Sequence, residues 1–313
     1  MVCPTASGRV GRAAARRRPV PLGGAASRNL VPMGKKSRRD RTQSAPKRKE
    51  VPFVERPFEG LDHETDLVAM REILPSASIS TTYKDTDVLL ATLLPDQVPA
   101  VRRQDGSVVV ALQFRLASGD ASRDVANALL RALELEPGEP LYLSELPEPG
   151  ERLQDLLGDA PLNIEVHEGF DFWIDPAEER TPELEEALAN AKEQVVPMVK
   201  VDGVESAYWT RMGKEFLRWV RPEGEYELLN ALARLQAAHE TDLEEGVRMI
   251  GAFRAQGLLV PVWELQPGTE ADELTGPCQA FEKRLQKALK DDSPLTAEER
   301  GARAGLISRQ VNL

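Results

Sequence analysis

The charge of this chain changes sign near residue 50, which limits where a folded core can form. Residues 1–50 contain fourteen lysines and arginines against Asp40 and Glu50, a net charge of +12. Subtracting +12 from the −11 of the whole chain leaves −23 on residues 51–313. A segment with so high a net charge and few large apolar side chains buries too little surface to fold alone. The sequence therefore predicts a disordered basic arm followed by an acidic folded body.

The arm itself has two parts. Residues 1–32 hold six arginines but no lysine and no acidic residue, and lysine first appears after Met33. This bias is typical of translated GC-rich DNA, so we expect the natural start at Met33 and residues 1–32 to be untranslated in the native protein. An organellar transit peptide is the alternative, although serine is sparse and no amphipathic stripe is present.

The second part of the arm carries the main basic cluster of the chain. A cluster of eight cations would bind nucleic acid weakly, without sequence preference and in a salt-sensitive way. No aromatic residue is interleaved with them, so base stacking is not expected, and a solubilising tail is the alternative interpretation. The cluster consists of Lys35, Lys36, Arg38, Arg39, Arg41, Lys47, Arg48 and Lys49.

The composition of the chain limits the cellular compartments in which we expect the protein. The chain has only two cysteines, so no disulfide framework is expected. No apolar run approaches the length that crosses a bilayer, and no secretory signal follows the first arginines. We therefore expect a cytoplasmic protein without a membrane partner.

Residues 51–205 predict an α+β domain with a mainly antiparallel sheet. Residues 78–83, 88–94 and 108–116 are strand candidates, the last preceded by the Asp105-Gly106 turn signal, and together they indicate an antiparallel meander. A longer alternation from Leu162 to Asp175 predicts a strand or tight hairpin with one buried face. Helices are expected where apolar residues recur at helical spacing, among them one capped by Asp120 and one that begins at Thr181-Pro182.

Residues 206–266 predict a small helical domain that resembles a winged helix. Residues 209–219 are a candidate helix. Leu228 to Leu235 define the first helix of the winged-helix-like unit, and Leu243, Val247 and Ile250 define its second helix. An apolar strand over 258–265 follows. The second helix would begin among four acidic residues, which repel phosphate, so a protein contact is expected in place of DNA. Residues 267–313 predict a helical tail, whose final helix begins at a capping box of Thr296 and Glu299.

Two groups of residues are candidate sites. The polar face of the 162–175 strand carries His167, Asp171 and Trp173, which suits a small ligand with the indole as a stacking surface. A metal site or acid–base chemistry on this face, joined by Glu165, is a weaker alternative, and a solvent-facing strand is the simplest one. We predict no metal and no cofactor, and no catalytic motif is present.

The second group combines aromatic and cationic side chains within thirteen residues. Such a combination is typical of an interface hot spot or of a surface that stacks a base. The alternative is that both tryptophans belong to the core and the arginines neutralise nearby acids. The group consists of Trp209, Arg211, Arg218, Trp219 and Arg221.

Five short segments of the sequence occur together in a known family. They are residues 57–61 (PFEGL), 118–124 (SGDASRD), 152–157 (RLQDLL), 167–173 (HEGFDFW) and 251–263 (GAFRAQGLLVPVW). On these strings the chain resembles an uncharacterised actinobacterial protein family, a domain of unknown function with a basic N-terminal arm, over roughly residues 33–313. The resemblance implies a bacterial cytoplasmic protein and brings no activity, cofactor or active site with it.

The function itself is not readable from any motif. We expect a noncatalytic interaction or regulatory protein whose acidic body binds an unknown protein partner and whose residues 33–50 make nonspecific contact with nucleic acid or a ribonucleoprotein. The alternative is a small-molecule or nucleotide-binding enzyme that uses the face of His167, Asp171 and Trp173.

Overall fold

Two mostly antiparallel sheets carry the fold, and α-helices pack beside them. The computed structural model describes residues 51–157, 162–309 and 311–312. Within these residues the chain forms eleven strands and seven α-helices. The α+β class expected from the sequence is confirmed, as is a helical C-terminal region.

The first sheet has the strand order β3-β4-β2-β1-β5. Its strands are β1 (Ala77–Tyr83), β2 (Thr86–Ala91), β3 (Ala100–Arg102), β4 (Val108–Ala111) and β5 (Asn163–Val166). The predicted meander is wrong in one respect, because β4 pairs with β2 in parallel. The short strand β3 was not recognised in the sequence, and it turns back into β4 through the expected Asp105-Gly106 turn.

Three helices accompany this sheet: α1 (Glu64–Glu72), α2 (Ala121–Ala132) and α3 (Leu153–Leu157). The side chain of Asp120 accepts a hydrogen bond from the backbone N–H of Arg123, as expected for an N-cap. The buried face of α2, with Val125 and Leu129 fully buried, packs against strands β3 and β4. This packing supplies much of the core on one side of the sheet.

Three of the strings that suggested a family lie against one another in the structure. Arg152 donates to the Pro57 carbonyl at 2.7 Å and pairs with Asp120 at 2.8 Å. Ser122 accepts a hydrogen bond from the N–H of Leu153 at 2.9 Å. These contacts fasten residues 57–61 to the starts of α2 and α3, and they account for the polar residues of these strings by packing.

The predicted strand over residues 162–175 is shorter than expected. Only β5 is extended, and the chain then turns at residues 168–169 and forms a short 3₁₀ turn, Asp171–Trp173. Buried Ser76 holds this turn by donating a hydrogen bond to the carbonyl of Gly169. The alternation of apolar residues reflects an aromatic cluster of Phe170, Phe172 and Trp173, which imitates the period of a strand. Helix α4 (Pro182–Lys192) follows, capped by Thr181 as predicted.

The second sheet has the strand order β11-β9-β10-β8-β7-β6. Its strands are β6 (Met198–Lys200), β7 (Ala207–Arg211), β8 (Glu215–Trp219), β9 (Arg248–Ala255), β10 (Leu258–Glu264) and β11 (Val311–Asn312). All neighbours are antiparallel except β11 and β9. Tyr208 and Phe253 of this sheet join the buried cluster around α1, so the core continues between the two sheets.

Two helices expected between residues 206 and 266 are absent from this part of the structure. Residues 209–219 lie in the hairpin of β7 and β8, whose turn contains Gly213 at φ 77°. Residues 243–247 form a turn with Gly246 at φ 85°. Strand β9 follows, and the burial of its side chains largely alternates, as expected for a strand. A glycine in the left-handed region favours a turn, so the chain turns at Gly213 and Gly246 where the sequence pattern predicted helices. The winged-helix assignment is therefore not confirmed.

The three remaining helices cover one face of the second sheet. They are α5 (Glu225–Ala237), α6 (Thr275–Leu289) and α7 (Ala297–Ser308), and both α6 and α7 pack against α5. Trp219 and Trp263 lie with Phe281 in one aromatic cluster, with ring centroids 5.0 to 6.2 Å apart. Burial of three aromatic side chains ties α6 firmly to the sheet. The capping box of Thr296 and Glu299 starts α7 as predicted.

Candidate functional site

His167 and Asp171 lie near each other in the chain but have different surroundings. The Nε2 atom of His167 lies 2.8 Å from the hydroxyl of Ser78, which is on strand β1. Asp171 is exposed and accepts a hydrogen bond from Arg180 at 3.0 Å. Because β5 ends before both residues, they do not share a strand face as the sequence suggested.

Trp173 is held by a ring stack and by a hydrogen bond from its indole. Its ring stacks on Phe170 at a centroid distance of 4.1 Å and an interplanar angle of 16°. Its indole N–H donates to the carbonyl of Leu93 at 2.8 Å. Trp173 borders a cavity of about 550 Å³, whereas His167 and Asp171 are not among the lining residues of that cavity.

The five residues of the predicted interface divide between two faces of the second sheet. Trp209 is buried, and its indole N–H donates to the carbonyl of Thr269 at 2.8 Å. Arg211 lies over the Trp209 ring and forms ion pairs with Glu215 and Glu270. Neutralised in this way, Arg211 fits the simpler interpretation of a charge that balances nearby acids.

Arg218 lies on the opposite face of strand β8. It neighbours Tyr208 of β7 and Val262 of β10, and its guanidinium is 3.4 Å from the sulfur of Met212. Burial lowers the pKa of this guanidinium, and none of the described acidic residues forms an ion pair with it. Arg218 is therefore separated from the other members of the predicted group.

Trp219 and Arg221 together form the centre of a charged pocket. The Arg221 side chain is only 5% exposed and lies 5.0 Å from the centroid of the Trp219 ring. It donates to both oxygens of Glu223 and both oxygens of Glu282, at 2.6 to 3.1 Å. Burial opposes the charge of Arg221, but these hydrogen bonds outweigh it and raise its pKa.

A pocket of about 540 Å³ opens beside this ion-pair cluster. Its walls come from the segment that precedes β7, from residues 219–223 and from helix α6. A second pocket adjoins it, and we call the two pockets together the charge-paired cleft. The lining residues of the first pocket are Thr65, Gly203, Val204, Glu205, Trp219, Val220, Arg221, Pro222, Glu223, Gln279, Glu282, Lys283 and Gln286.

The adjoining pocket, of about 430 Å³, shares four lining residues with the first: Thr65, Val204, Glu205 and Pro222. Its buried charge is Asp66 on helix α1. The Asp66 carboxylate accepts hydrogen bonds from Ser206 at 2.5 Å and Tyr208 at 2.6 Å, and from the Lys200 ammonium at 3.1 Å. Burial alone would raise the pKa of Asp66, but these bonds and the lysine charge lower it.

Backbone strain coincides with this second pocket. His63 and Ser206 both have left-handed backbone conformations, at φ 60° and φ 50°. A residue with a side chain adopts this region at an energetic cost, and such residues concentrate at binding and active sites. His63 Nδ1 lies 3.6 Å from the Asp66 carboxylate and Ser206 donates to that carboxylate, so the two strained residues converge on one buried charge.

Sequence reasoning missed most of this cleft because its residues are distant along the chain. Asp66 and Tyr208 are 142 positions apart, and Arg221 and Glu282 are 61 apart. No spacing rule connects such residues in a single sequence. The only available signal was the aromatic and cationic composition around Trp219 and Arg221.

Three other expectations concern residues or features outside this cleft. The predicted nucleic-acid cluster from Lys35 to Lys49, and Met33, lie outside the described residues. Within the described part, no group of three His, Cys, Asp or Glu is placed to hold a metal ion. No helix of the described part is long and apolar enough to cross a bilayer.

Comparison with known proteins identifies the family but no characterised relative. No curated protein and no solved structure matches the chain. A model of the family of unknown function DUF5926 matches residues 57–313, a region that includes both sheets and every lining residue of the charge-paired cleft. The chain therefore belongs to the family of unknown function DUF5926.

Proposed function

We propose that this protein is a noncatalytic interaction or regulatory protein of the cytoplasm, whose acidic body binds a protein partner through the charge-paired cleft. One observation carries the proposal: each buried charge of the cleft is held by partners inside the protein. Arg221 is held by two carboxylates, and Asp66 is held by one ammonium and two hydroxyl groups. A rigid wall of this kind is suited to recognition.

The pKa values in the cleft support binding over acid–base chemistry. A general acid or base works best when its pKa lies near the pH of the reaction. Here the pKa of Asp66 is lowered, and burial together with the Asp66 charge raises that of Tyr208 well above its usual value. Burial opposes the charge of Glu282, but the hydrogen bonds of Arg221 lower its pKa. All three shifts lead away from neutral pH.

The surface chemistry of the cleft favours a protein as the occupant. Apolar side chains, including Val204 and Pro222, form part of the walls, and exposed polar side chains of helix α6 surround them, including Gln279 and Lys283. Apolar centres with polar rims are typical of protein interfaces.

A matched pair of variants tests this proposal. Lys283→Trp would fill the cleft, whereas Lys287→Trp places the same bulk on an exposed position of the same helix that does not line it. Each chain is used as bait in nuclease-treated native lysate. We expect a protein that wild type and Lys287→Trp retain and that Lys283→Trp loses. Equal retention by both variants contradicts the cleft as the binding surface.

The basic arm completes the proposal as a nonspecific contact with nucleic acid or a ribonucleoprotein. Its support is the net charge of +6 on residues 33–50, eight cations against Asp40 and Glu50, beside an acidic body. We expect a chain that begins at Met33 to bind a fluorescent DNA duplex with an affinity that falls steeply with salt. Replacing its eight cations between Lys35 and Lys49 by glutamine should abolish this binding, and unchanged affinity would contradict it.

One observation favours the alternative, a small-molecule or nucleotide-binding enzyme that uses the face of His167, Asp171 and Trp173. Trp173 borders a cavity of ligand size. Alanine variants of His167 and Asp171 that keep their melting temperature and lose a cellular phenotype would support it. Neither proposal requires a winged-helix-like domain at residues 206–266, and the domain boundaries at 205 and 266 stay predictions.

A further inference from the structure

The cavity beside Trp173 has walls suited to a flat aromatic ligand. Its floor is apolar and includes Val101 and Val109, which pair across strands β3 and β4. Trp173 and Tyr142 are the two aromatic residues that line it. Tyr142 is 72% exposed, so its ring is accessible to a ligand. We call this space the aromatic cavity.

Trp173 presents a fixed surface to the aromatic cavity. One ring face is covered by Phe170, and the indole N–H is held by the carbonyl of Leu93. Arg103 donates to the carbonyls of Phe172 and Ile174 on both sides of the tryptophan, at 2.6 and 3.2 Å. The remaining indole surface is therefore held in position before any ligand arrives, which reduces the entropy lost on binding.

The rim of the aromatic cavity is strained and closely fitted. Asp96 and Gln97 are consecutive residues in the left-handed region, at φ 55° and φ 56°. Gly138, at φ 91°, lies under the side-chain amide of Gln104, and a Cβ atom there would come within 2.2 Å of that amide. The left-handed φ of Gly138 favours glycine at this position. Left-handed residues with a side chain, such as Asp96, are a known mark of ligand-binding loops.

Charge decides which aromatic ligands fit. Three carboxylates line the aromatic cavity, those of Asp96, Asp175 and Glu178, against the single cation Arg103. Asp175 accepts backbone hydrogen bonds from residues 104 and 177, while Asp96 and Glu178 have no ion-pair partner among the described residues. This surplus of negative charge repels phosphate and offers acceptors to N–H donors.

We propose that the aromatic cavity binds a planar, nitrogen-containing aromatic heterocycle without a phosphate group, stacked against Trp173 and Tyr142. Nucleobases have this chemistry, since every base offers a flat π surface and most carry N–H donors. The site is separate from the charge-paired cleft, and it does not use His167 or Asp171.

Tryptophan fluorescence offers a direct test, because the other three tryptophans of the chain, at 209, 219 and 263, are buried. Adenosine, guanosine and cytidine are titrated into the full chain, each beside its 5′-monophosphate. We expect saturable quenching by at least one nucleoside, and binding at least severalfold weaker for its monophosphate. The signal should disappear in Trp173→Phe.

Variants at exposed tyrosines keep the test independent of folding. Tyr142→Ala should weaken nucleoside binding about tenfold by calorimetry, as expected for loss of one stacking partner. Tyr226→Ala, at another exposed tyrosine away from the aromatic cavity, should bind like wild type. The proposal is overturned if no nucleoside binds, if the monophosphates bind more tightly, or if Tyr142→Ala binds as wild type does.

Discussion

The first pocket of the charge-paired cleft and the aromatic cavity are similar in volume, at about 540 and 550 Å³, but their walls are held in place by different interactions. In the cleft, buried charges such as Arg221 and Asp66 are satisfied by partners inside the protein. In the aromatic cavity, Asp96 and Glu178 have no ion-pair partner in the described part of the chain. The fixed element there is an aromatic ring, Trp173, in place of a salt bridge.

This difference separates residues that stabilise the fold from residues that contact a binding partner or ligand. A buried ion pair is costly to break, because removing one partner leaves an uncompensated charge. An exposed aromatic ring such as Tyr142 is inexpensive to remove, since it contributes little to the folded state. Substitutions of the buried charges of the cleft should therefore lower stability strongly, whereas substitutions of exposed residues at either site, such as Lys283 or Tyr142, should affect binding alone.

The largest effect is expected at Arg221. Arg221→Met removes the cation that Glu223 and Glu282 share, and should lower the free energy of unfolding by about 3–5 kcal/mol. Urea denaturation measures this change. Arg211→Met, an exposed arginine on the same sheet, is the control and should be far milder. Equal losses in the two variants would show that the Arg221 cluster has no special role in the fold.

A smaller loss is expected at the aromatic cluster beneath Trp173. Phe170 is buried and stacks on that indole, so Phe170→Ala should cost about 3 kcal/mol through the lost contacts and the cavity left behind. Thermal unfolding followed by circular dichroism checks the value. A variant with the melting temperature of wild type would mean that the stack does not hold the 171–173 turn.

Asp66 should give a pH-dependent effect. Its pKa is lowered on folding, so its contribution to stability is present above its unfolded pKa of about 3.9 and is lost as the pH falls through the folded value. Asp66→Asn should therefore cost about 1–3 kcal/mol at pH 7 and progressively less below about pH 4. Urea titrations of both proteins across this pH range measure it, and a pH-independent difference would contradict it.

The sequence predicted local elements better than long-range ones. The caps Asp120 and Thr181 and the Thr296–Glu299 box located helices α2, α4 and α7, because capping depends on residues three positions apart. Strand β4 was found but not its parallel pairing with β2, since no local pattern specifies the partner of a strand. In the second sheet, β10 was predicted as a strand, whereas the β7–β8 hairpin around Gly213 and the segment around Gly246 that leads into β9 were mistaken for helices.

The candidate sites followed the same division. Trp219 and Arg221 were recognised because they are close in sequence, whereas Glu282 and Asp66 were not. Trp173 was recognised as a stacking surface, but Tyr142 was overlooked because it lies in a different segment. Each site therefore contains residues that the local composition of the sequence indicated, together with residues from distant segments that only folding places beside them.

The smallest stability effects are expected at exposed positions of the two sites. Tyr142→Ala and Asp171→Ala should change the free energy of unfolding by no more than about 0.5 kcal/mol, because both side chains are largely exposed. Chemical denaturation of the two variants checks this. A loss above about 1 kcal/mol in Tyr142→Ala would show that this tyrosine supports the fold, contrary to its assignment to ligand binding.

Site-specific photo-crosslinking tests the central claim most directly, that the charge-paired cleft binds a protein partner. A photoreactive phenylalanine derivative is placed at Lys283, which lines the cleft, or at Lys287, which is exposed on the same helix outside it. After irradiation of living cells, we predict a discrete protein adduct from position 283 and none from position 287. No adduct from 283, or the same adduct from both positions, would contradict the proposed function.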